Sequence, residues 1–201
     1  MGKFENEVIE RIERILGTKA YKKKTFEWLT NNHTSTSSSY DKEVLNKIFT
    51  SFNGCKMSLD EKRVVKLRVD SFFEELGIVV EIDEIQHFTN ARLRSLEIIE
   101  NYNLDLGYDL EQYKIWCKEN SSKAFNKGQA GYRRQTKEFP FENGRLYQRA
   151  YFDSLRDILI IRNLGKPVIR ISEMELAFCK ELEVYIMEKL KSYNIKIHGG
   201  G

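Results

Sequence analysis

The segment from Val64 to His87 constrains this chain most. Val64-Val65-Lys66-Leu67-Arg68-Val69-Asp70 alternates, with Val65, Leu67 and Val69 facing one way and Lys66, Arg68 and Asp70 the other, the period of a half-buried strand. Glu74-Glu75-Leu76-Gly77 reads as a turn, and Ile78 to Asp83 as a second, apolar strand. The eleven-residue spacing of Asp70 and Glu81 suits an antiparallel hairpin whose acidic residues meet near one end. Alternation also puts Glu81 and Asp83 on one face, with Val80 and Ile82 opposite in the core. Like charges repel and strands disfavour Asp, so carboxylates gathered there need a reason. The usual reason is a divalent metal with oxygen ligands.

The flanking sequence supplies helices. Phe4, Val8, Ile12 and Ile15 recur at helical spacing over residues 3–16, and Gly17 is a natural stop. Ala20 to Asn31 reads as a second short helix, so residues 1–36 are expected to be accessory N-terminal helices before a core over 37–201. Tyr40 to Phe52 is a third helix, capped by Ser39 or Asp41. Residues 89–120 read as helical, residues 121–144 as a looser polar segment, and 145 to 164 as a helix stopped by Gly165-Lys166-Pro167. Val168 to Ile171 is a short buried strand, and Ser172 caps a final helix over 173–192. Ile195-Lys196-Ile197 is an added edge strand, and His198 to Gly201 should fray. The element order gives an α/β or α+β core, a small mixed sheet flanked by helices.

Composition narrows the setting. The 201 residues fit one domain, and 41% hydrophobic content with 12 Phe and 10 Tyr suffices for a core. No apolar run approaches the roughly 18 residues of a membrane span, so no membrane partner is expected, and the charged N-terminus lacks a signal-peptide core. Cys55, Cys117 and Cys179 lie far apart, with no CxxC pair and three histidines, which argues against structural zinc and suits a reducing cytoplasm. The net charge of +3 is unevenly spread. Lys123, Lys127, Arg133, Arg134, Lys137, Arg145 and Arg149 face only Glu138 and Glu142, a local +5 against −2 for the rest. That is the footprint of a polyanion contact. The glycines, Arg, Gln and Tyr132 of Gly128 to Lys137 suit a loop along a nucleic-acid backbone.

Phosphodiester hydrolysis needs a group that stabilises added negative charge and a hydroxide-like nucleophile. Mg²⁺ held by carboxylates supplies both, and Mn²⁺ can substitute. Asp70 and Asp83 are the leading ligand candidates, followed by Glu81, with Glu43 of the third helix acting through water or on the nucleophile. His87 shares the parity of Glu81 and Asp83 and is either a general base or acid or a histidine bonded to a neighbour. Glu84-Ile85-Gln86 offers a competing metal frame. The Glu81/Asp83 frame is preferred because the alternate face is apolar. Arg156 and Arg170 are candidates for the scissile phosphate, and a buried Arg170 would otherwise need a carboxylate.

Ser39-Tyr40-Asp41-Lys42-Glu43, Val69-Asp70-Ser71-Phe72 and Val79-Val80-Glu81-Ile82-Asp83-Glu84-Ile85-Gln86-His87, in that order, resemble the PD-(D/E)xK nuclease superfamily. The likeness is to its very-short-patch-repair-like branch, with related restriction and homing endonucleases. Asp153-Ser154-Leu155-Arg156-Asp157 and Gly165-Lys166-Pro167-Val168-Ile169-Arg170 match its continuation. The likeness spans roughly residues 39–172, with an insertion at about 89–145. It implies a restriction-endonuclease-like core and a metal-dependent endonuclease acting on DNA. The superfamily's usual lysine is replaced by Asp83 and the following glycine by Glu84, and the zinc-binding residues of the mismatch-repair members are absent. These departures leave the substrate open and count against mismatch repair.

The expectation is therefore a Mg²⁺-dependent deoxyribonuclease of restriction or homing type. Asp70, Glu81, Asp83, His87 and Glu43 are its candidate catalytic residues. DNA is held by Arg133, Arg134, Lys137, Arg145, Arg149, Arg156 and Arg170. No GxxxxGK[ST] is present, so no ATPase is expected, and a palindromic site would imply a homodimer. One alternative is a catalytically inactive nucleic-acid-binding module with a nuclease-like fold. Another is an interaction protein whose acidic strand pairs with a basic partner.

Overall fold

The hairpin that follows Asp70 supplies the two inner strands of the main sheet. The computed structural model describes residues 2–36, 38–177, 179 and 181–197. Helix α1 (Lys3–Leu16) leads to strands β1 (Tyr21–Lys22) and β2 (Thr25–Thr30), then to helices α2 (Ser39–Ser51) and α3 (Lys56–Glu61). Strands β3 (Lys66–Arg68), β4 (Ser71–Phe73) and β5 (Ile78–Asp83) follow, and then helices α4 (Asn90–Glu100), α5 (Leu110–Tyr132) and α6 (Gly144–Leu164). Strand β6 (Ile169–Ser172) and helices α7 (Glu173–Leu176) and α8 (Leu182–Ser192) complete it. Four strands form a mixed sheet in the order β1-β4-β5-β6, parallel only between β5 and β6. The fold is mixed α/β, a small mixed sheet flanked by helices.

The alternation of β5 sorts the two layers. Val80 and Ile82 join Phe73, Ile169 and Ile171 against Val8 and Ile12 of α1 and Ile186 and Leu190 of α8. Phe72 and Val79 belong to a larger core with Val44 and Ile48 of α2, Leu96 and Ile99 of α4, and Leu155 and Leu159 of α6. Helix ends follow their signals. Gly17 and Gly165 take the left-handed conformation after α1 and α6, with φ of 67° and 66°. Ser172 forms a capping box with Glu175. Ser38, rather than Ser39 or Asp41, caps α2 by accepting from the Asp41 N–H. No helix among the described residues is long and apolar enough to cross a membrane.

Several expectations are corrected. Ala20 to Asn31 is not a helix but β1 and β2, so the first 36 residues are not a helical pair. Thr25, Phe26, Trp28 and Thr30 favour a strand, and Phe26 stacks on Trp28 at 4.7 Å and meets the Phe72 ring edge-on at 5.0 Å. Lys23, at φ 56°, turns the chain between them. Val65 lies outside β3 and is 50% exposed. The helical stretch after residue 89 breaks between α4 and α5, where Asn103 and Gly107 have φ of 49° and 74°. Residues 121–132 are not loose: α5 runs through them because its buried face continues through Ala124 to Tyr132. Gly128 is needed there, since a Cβ would sit 2.4 Å from the Tyr132 ring. The helix expected over 173–192 is split into α7 and α8. Ile195 to Ile197 forms no strand, Ile195 and Ile197 instead packing beside α8. His198 to Gly201 lies outside the described residues.

A buried histidine ties the short 3₁₀ turn after β2 to α6. His33 Nδ1 lies 2.7 Å from Tyr151 Oη, and the His33 N–H donates to that oxygen at 3.1 Å. Burial pushes the His33 pKa down from 6.5 to about 4. The unfolded chain therefore binds the extra proton below about 6.5, so this contribution is complete above that pH and is lost as pH falls through about 4. The urea midpoint should drop between pH 7 and pH 4.5, and His33→Gln should make that drop shallower.

Candidate active site

One cleft, of about 400 Å³, collects Asp70, Glu81, His87, Arg145, Arg149 and Arg156, half of the candidate site residues named above. It opens where the hairpin ends, beside the start of α1, the end of α5 and the first turns of α6. Its floor is the Asp70–Glu81 pair. Ser71 faces Val80 across the hairpin, which brings Asp70 opposite Glu81. The Asp70 N–H donates to Glu81 Oε1 at 3.0 Å, and Asp70 Oδ2 accepts from the Ile82 N–H at 2.9 Å. Lys23 Nζ lies 2.7 Å from Asp70 Oδ1 and 2.5 Å from Glu5 Oε1. Arg156 Nε approaches Glu81 Oε2 at 3.4 Å.

These surroundings split the two carboxyls. Burial opposes charge on Asp70, but the Ile82 amide and the Lys23 ammonium prevail and hold its pKa below the usual range. Glu81 is buried with weaker support, and burial followed by the neighbouring Asp70 charge pushes it up to about 8.

The second pair is His87 and Asp153. After β5 the chain makes a short 3₁₀ turn, Ile85–His87, before Thr89 caps α4. The turn brings His87 Nδ1 within 3.0 Å of Asp153 Oδ2 on α6 and 3.4 Å of Asp83 Oδ1. Burial works against the Asp153 charge, but the hydrogen bond from His87 and the charges of Arg170 and Arg156 outweigh it and hold its carboxyl far below the usual range. Arg145, Arg149 and Arg156 line the same cleft, with Glu84, Gln86 and Tyr132. The Tyr132 hydroxyl donates to the Gln86 carbonyl, pinning the turn.

Six expected site residues are placed elsewhere. Asp83 shares a face with Glu81 but is not among the cleft residues. Arg170 Nη1 bonds both Asp83 oxygens, at 2.7 and 2.9 Å, and Tyr113 donates to Oδ2 at 3.2 Å, so this buried carboxylate is turned to Arg170 and not to the cleft. Arg170 is fully buried and its Nε donates to Asp157 Oδ1 at 2.9 Å, so its partners are carboxylates and not phosphate. Glu43 accepts from Tyr102 at 3.0 Å, away from the cleft, and the helix carboxylate that does line it is Glu5. Both Glu84 and Gln86 reach the cleft, because the 3₁₀ turn ends the strand parity that had excluded them. Arg133, Arg134 and Lys137 are exposed beyond α5, and the Arg145 N–H donates to the Arg134 carbonyl at 2.8 Å, which joins that basic segment to the cleft rim. Among the described residues, no three carboxylate, imidazole or thiolate groups form a ready-made metal site.

Comparison of the chain with protein-family models, curated proteins and solved structures finds no match.

Behind the cleft, Arg92 Nη2 meets Asp157 Oδ2 at 2.5 Å, completing a buried chain of Asp83, Arg170, Asp157 and Arg92. Removing one ion leaves the others uncompensated. Arg170→Ala should lower unfolding free energy by roughly 3–5 kcal/mol in urea titration.

Proposed function

We propose that this cleft is the active site of a metal-dependent endonuclease that hydrolyses DNA phosphodiester bonds. Its setting is of restriction or homing type, within the very-short-patch-repair-like branch of the PD-(D/E)xK superfamily. One observation carries the reading: the facing carboxylates Asp70 and Glu81 and the His87–Asp153 pair open into one cleft lined by Arg145, Arg149 and Arg156.

The donor set fits Mg²⁺, or Mn²⁺ in its place. Mg²⁺ is usually held by one or two carboxylates, with water and substrate phosphate completing its shell, so no trio of protein ligands is required. Asp70 and Glu81 would hold it, with Ile82 also at the cleft wall. When bound, the ion polarises the phosphate and eases deprotonation of a water.

The chain's own residues do the rest. Arg149 and Arg156 bind and orient the phosphodiester, and Arg133, Arg134 and Lys137 hold the flanking backbone. His87 takes a proton from the attacking water through Nε2, while Asp153 fixes the ring and supports the imidazolium. A P–O bond forms to the water oxygen, the ester P–O bond breaks, and the leaving alkoxide takes a proton from solvent. Lys23 keeps Asp70 ionised. A palindromic target would call for two copies of the chain.

A second reading, a catalytically inactive nucleic-acid-binding module, draws on Lys23. Its ammonium lies between Glu5 and Asp70, where a metal's charge would otherwise be felt. Calorimetry with Mn²⁺ separates the two, because the nuclease reading requires a binding site that Asp70→Ala abolishes.

Plasmid nicking in Mg²⁺ should fall by about 10²–10⁴-fold in His87→Ala, the range for loss of a general base, with DNA binding retained. Asp70→Asn should be at least as inactive. No cleavage by the unaltered chain in Mg²⁺ or Mn²⁺ would sink the proposal. Changing Arg133, Arg134 and Lys137 to Ala should weaken binding on all sequences and reduce the slope of log affinity against log salt by about 1 per lost phosphate contact.

A further inference from the structure

His87 turns one ring nitrogen away from Asp153, and that nitrogen is already engaged. Nε2 lies 2.7 Å from Nη2 of Arg149, and Nη1 of the same guanidinium lies 3.3 Å from Gln86 Oε1. A guanidinium has donors only, so Nε2 accepts. The ring is therefore neutral and carries its proton on Nδ1, toward Asp153 at 3.0 Å. The lone pair that a general base needs is occupied by Arg149.

The two partners differ in freedom. The turn that carries His87 is held by the Tyr132 hydroxyl on the Gln86 carbonyl and by the Phe88 N–H on the Ile85 carbonyl at 3.1 Å. The imidazole is also seated on Asp153. Arg149 is half-buried, reaches the cleft from the second turn of α6, and gives these two bonds to neutral acceptors. A phosphate adds the attraction of opposite charges and can take two parallel bonds from the guanidinium, neither of which the neutral imidazole offers, so a phosphate in the cleft outcompetes His87 for it.

We infer that Arg149 is a substrate-operated latch on His87. In the free protein it caps Nε2 and fixes the Nδ1–H tautomer. When a phosphodiester draws the guanidinium onto its own oxygens, Nε2 is released beside that phosphate, ready for the proton of the attacking water. The same side chain thus positions the base and couples its release to substrate. The identity of the anion rests on the nuclease reading, whereas the capped ring is a property of the protein alone.

The test is nitrogen NMR on the full chain carrying ¹⁵N-labelled histidine, in EDTA so that DNA is bound and not cut. His87 is assigned by its absence in His87→Gln. The free protein should show a neutral Nδ1–H ring with a hydrogen-bonded Nε2, and a short duplex should move the Nε2 signal. Arg149→Gln should show an uncapped Nε2 without DNA, and diethyl pyrocarbonate should modify its His87 about fivefold faster, the factor of one typical hydrogen bond. Arg149→Lys, which keeps a charged donor, should restore part of the cap. An Nε2–H tautomer in the free protein overturns the latch. So does an unchanged Nε2 when the duplex binds, and if that protein still cuts DNA the nuclease reading stands without it. Failure to bind any duplex removes the release step and the nuclease reading together, while the tautomer of the free ring still decides the cap.

Discussion

The guanidinium of Arg170 is where the sheet, the helices and the cleft are joined. It leaves β6 fully buried, bonds Asp83 on the neighbouring β5 and Asp157 on α6, and shares Asp157 with Arg92 of α4. Tyr113 of α5 donates to Asp83 and Tyr108 donates to Asp157, at 3.2 and 3.1 Å. Two cations and two anions cancel, which makes their burial tolerable. Such a cluster contributes less to net stability than its contacts suggest, because each ion gave up its hydration. Its effect here is geometric, since it fixes β5, β6 and three helices in one register.

That register sets the distances in the cleft. Asp153 and Asp157 lie four apart on α6, on one face of the helix. While Asp157 is held on Arg170, Asp153 is delivered to His87, and Arg156 to Glu81 of the hairpin. Asp83 lies within 3.4 Å of the same His87 nitrogen, but its charge is committed to Arg170. Asp153, nearer at 3.0 Å, therefore orients the ring. The depth of the ionic cluster and the placement of the histidine are two results of one arrangement.

The hairpin was legible only in part: the turn, the strand Ile78–Asp83 and the meeting of Asp70 with Glu81 follow the sequence, but the hairpin strand that pairs with β5 is Ser71–Phe73, while Lys66–Arg68 of the expected strand pairs with β2 in a separate two-stranded sheet. The helices now labelled α1, α2 and α6 were legible from their apolar stripes. Depth was not legible. Alternation says that Glu81 and Asp83 share a face, but one further strand step carries Asp83 beneath Tyr113, and only the packing of α5 decides that. Arg170 needed a partner, and sequence alone left carboxylate and phosphate both open. Glu5 and Lys23 carry no local signal, since they reach the cleft through the position of α1 and the turn after β1. Lys23 sat in a lysine run that reads equally well as a solvated surface, and the helix misread over Ala20 to Asn31 concealed that turn.

The two carboxyls on the cleft floor have unlike environments. Asp70 accepts from a backbone amide and from an ammonium, so it is ionised before anything binds. Glu81 accepts one amide and a longer contact from Arg156, beside the Asp70 charge, so its ionised form is the less supported. Paired carboxyls held apart in this way divide their work between a fixed anion and a group that responds to charge. Lys23 enforces the difference by favouring Asp70, since its ammonium bridges to Glu5 and not to Glu81. Lys23 is thus near this site in space but far from it in sequence, and it enters from the turn after β1.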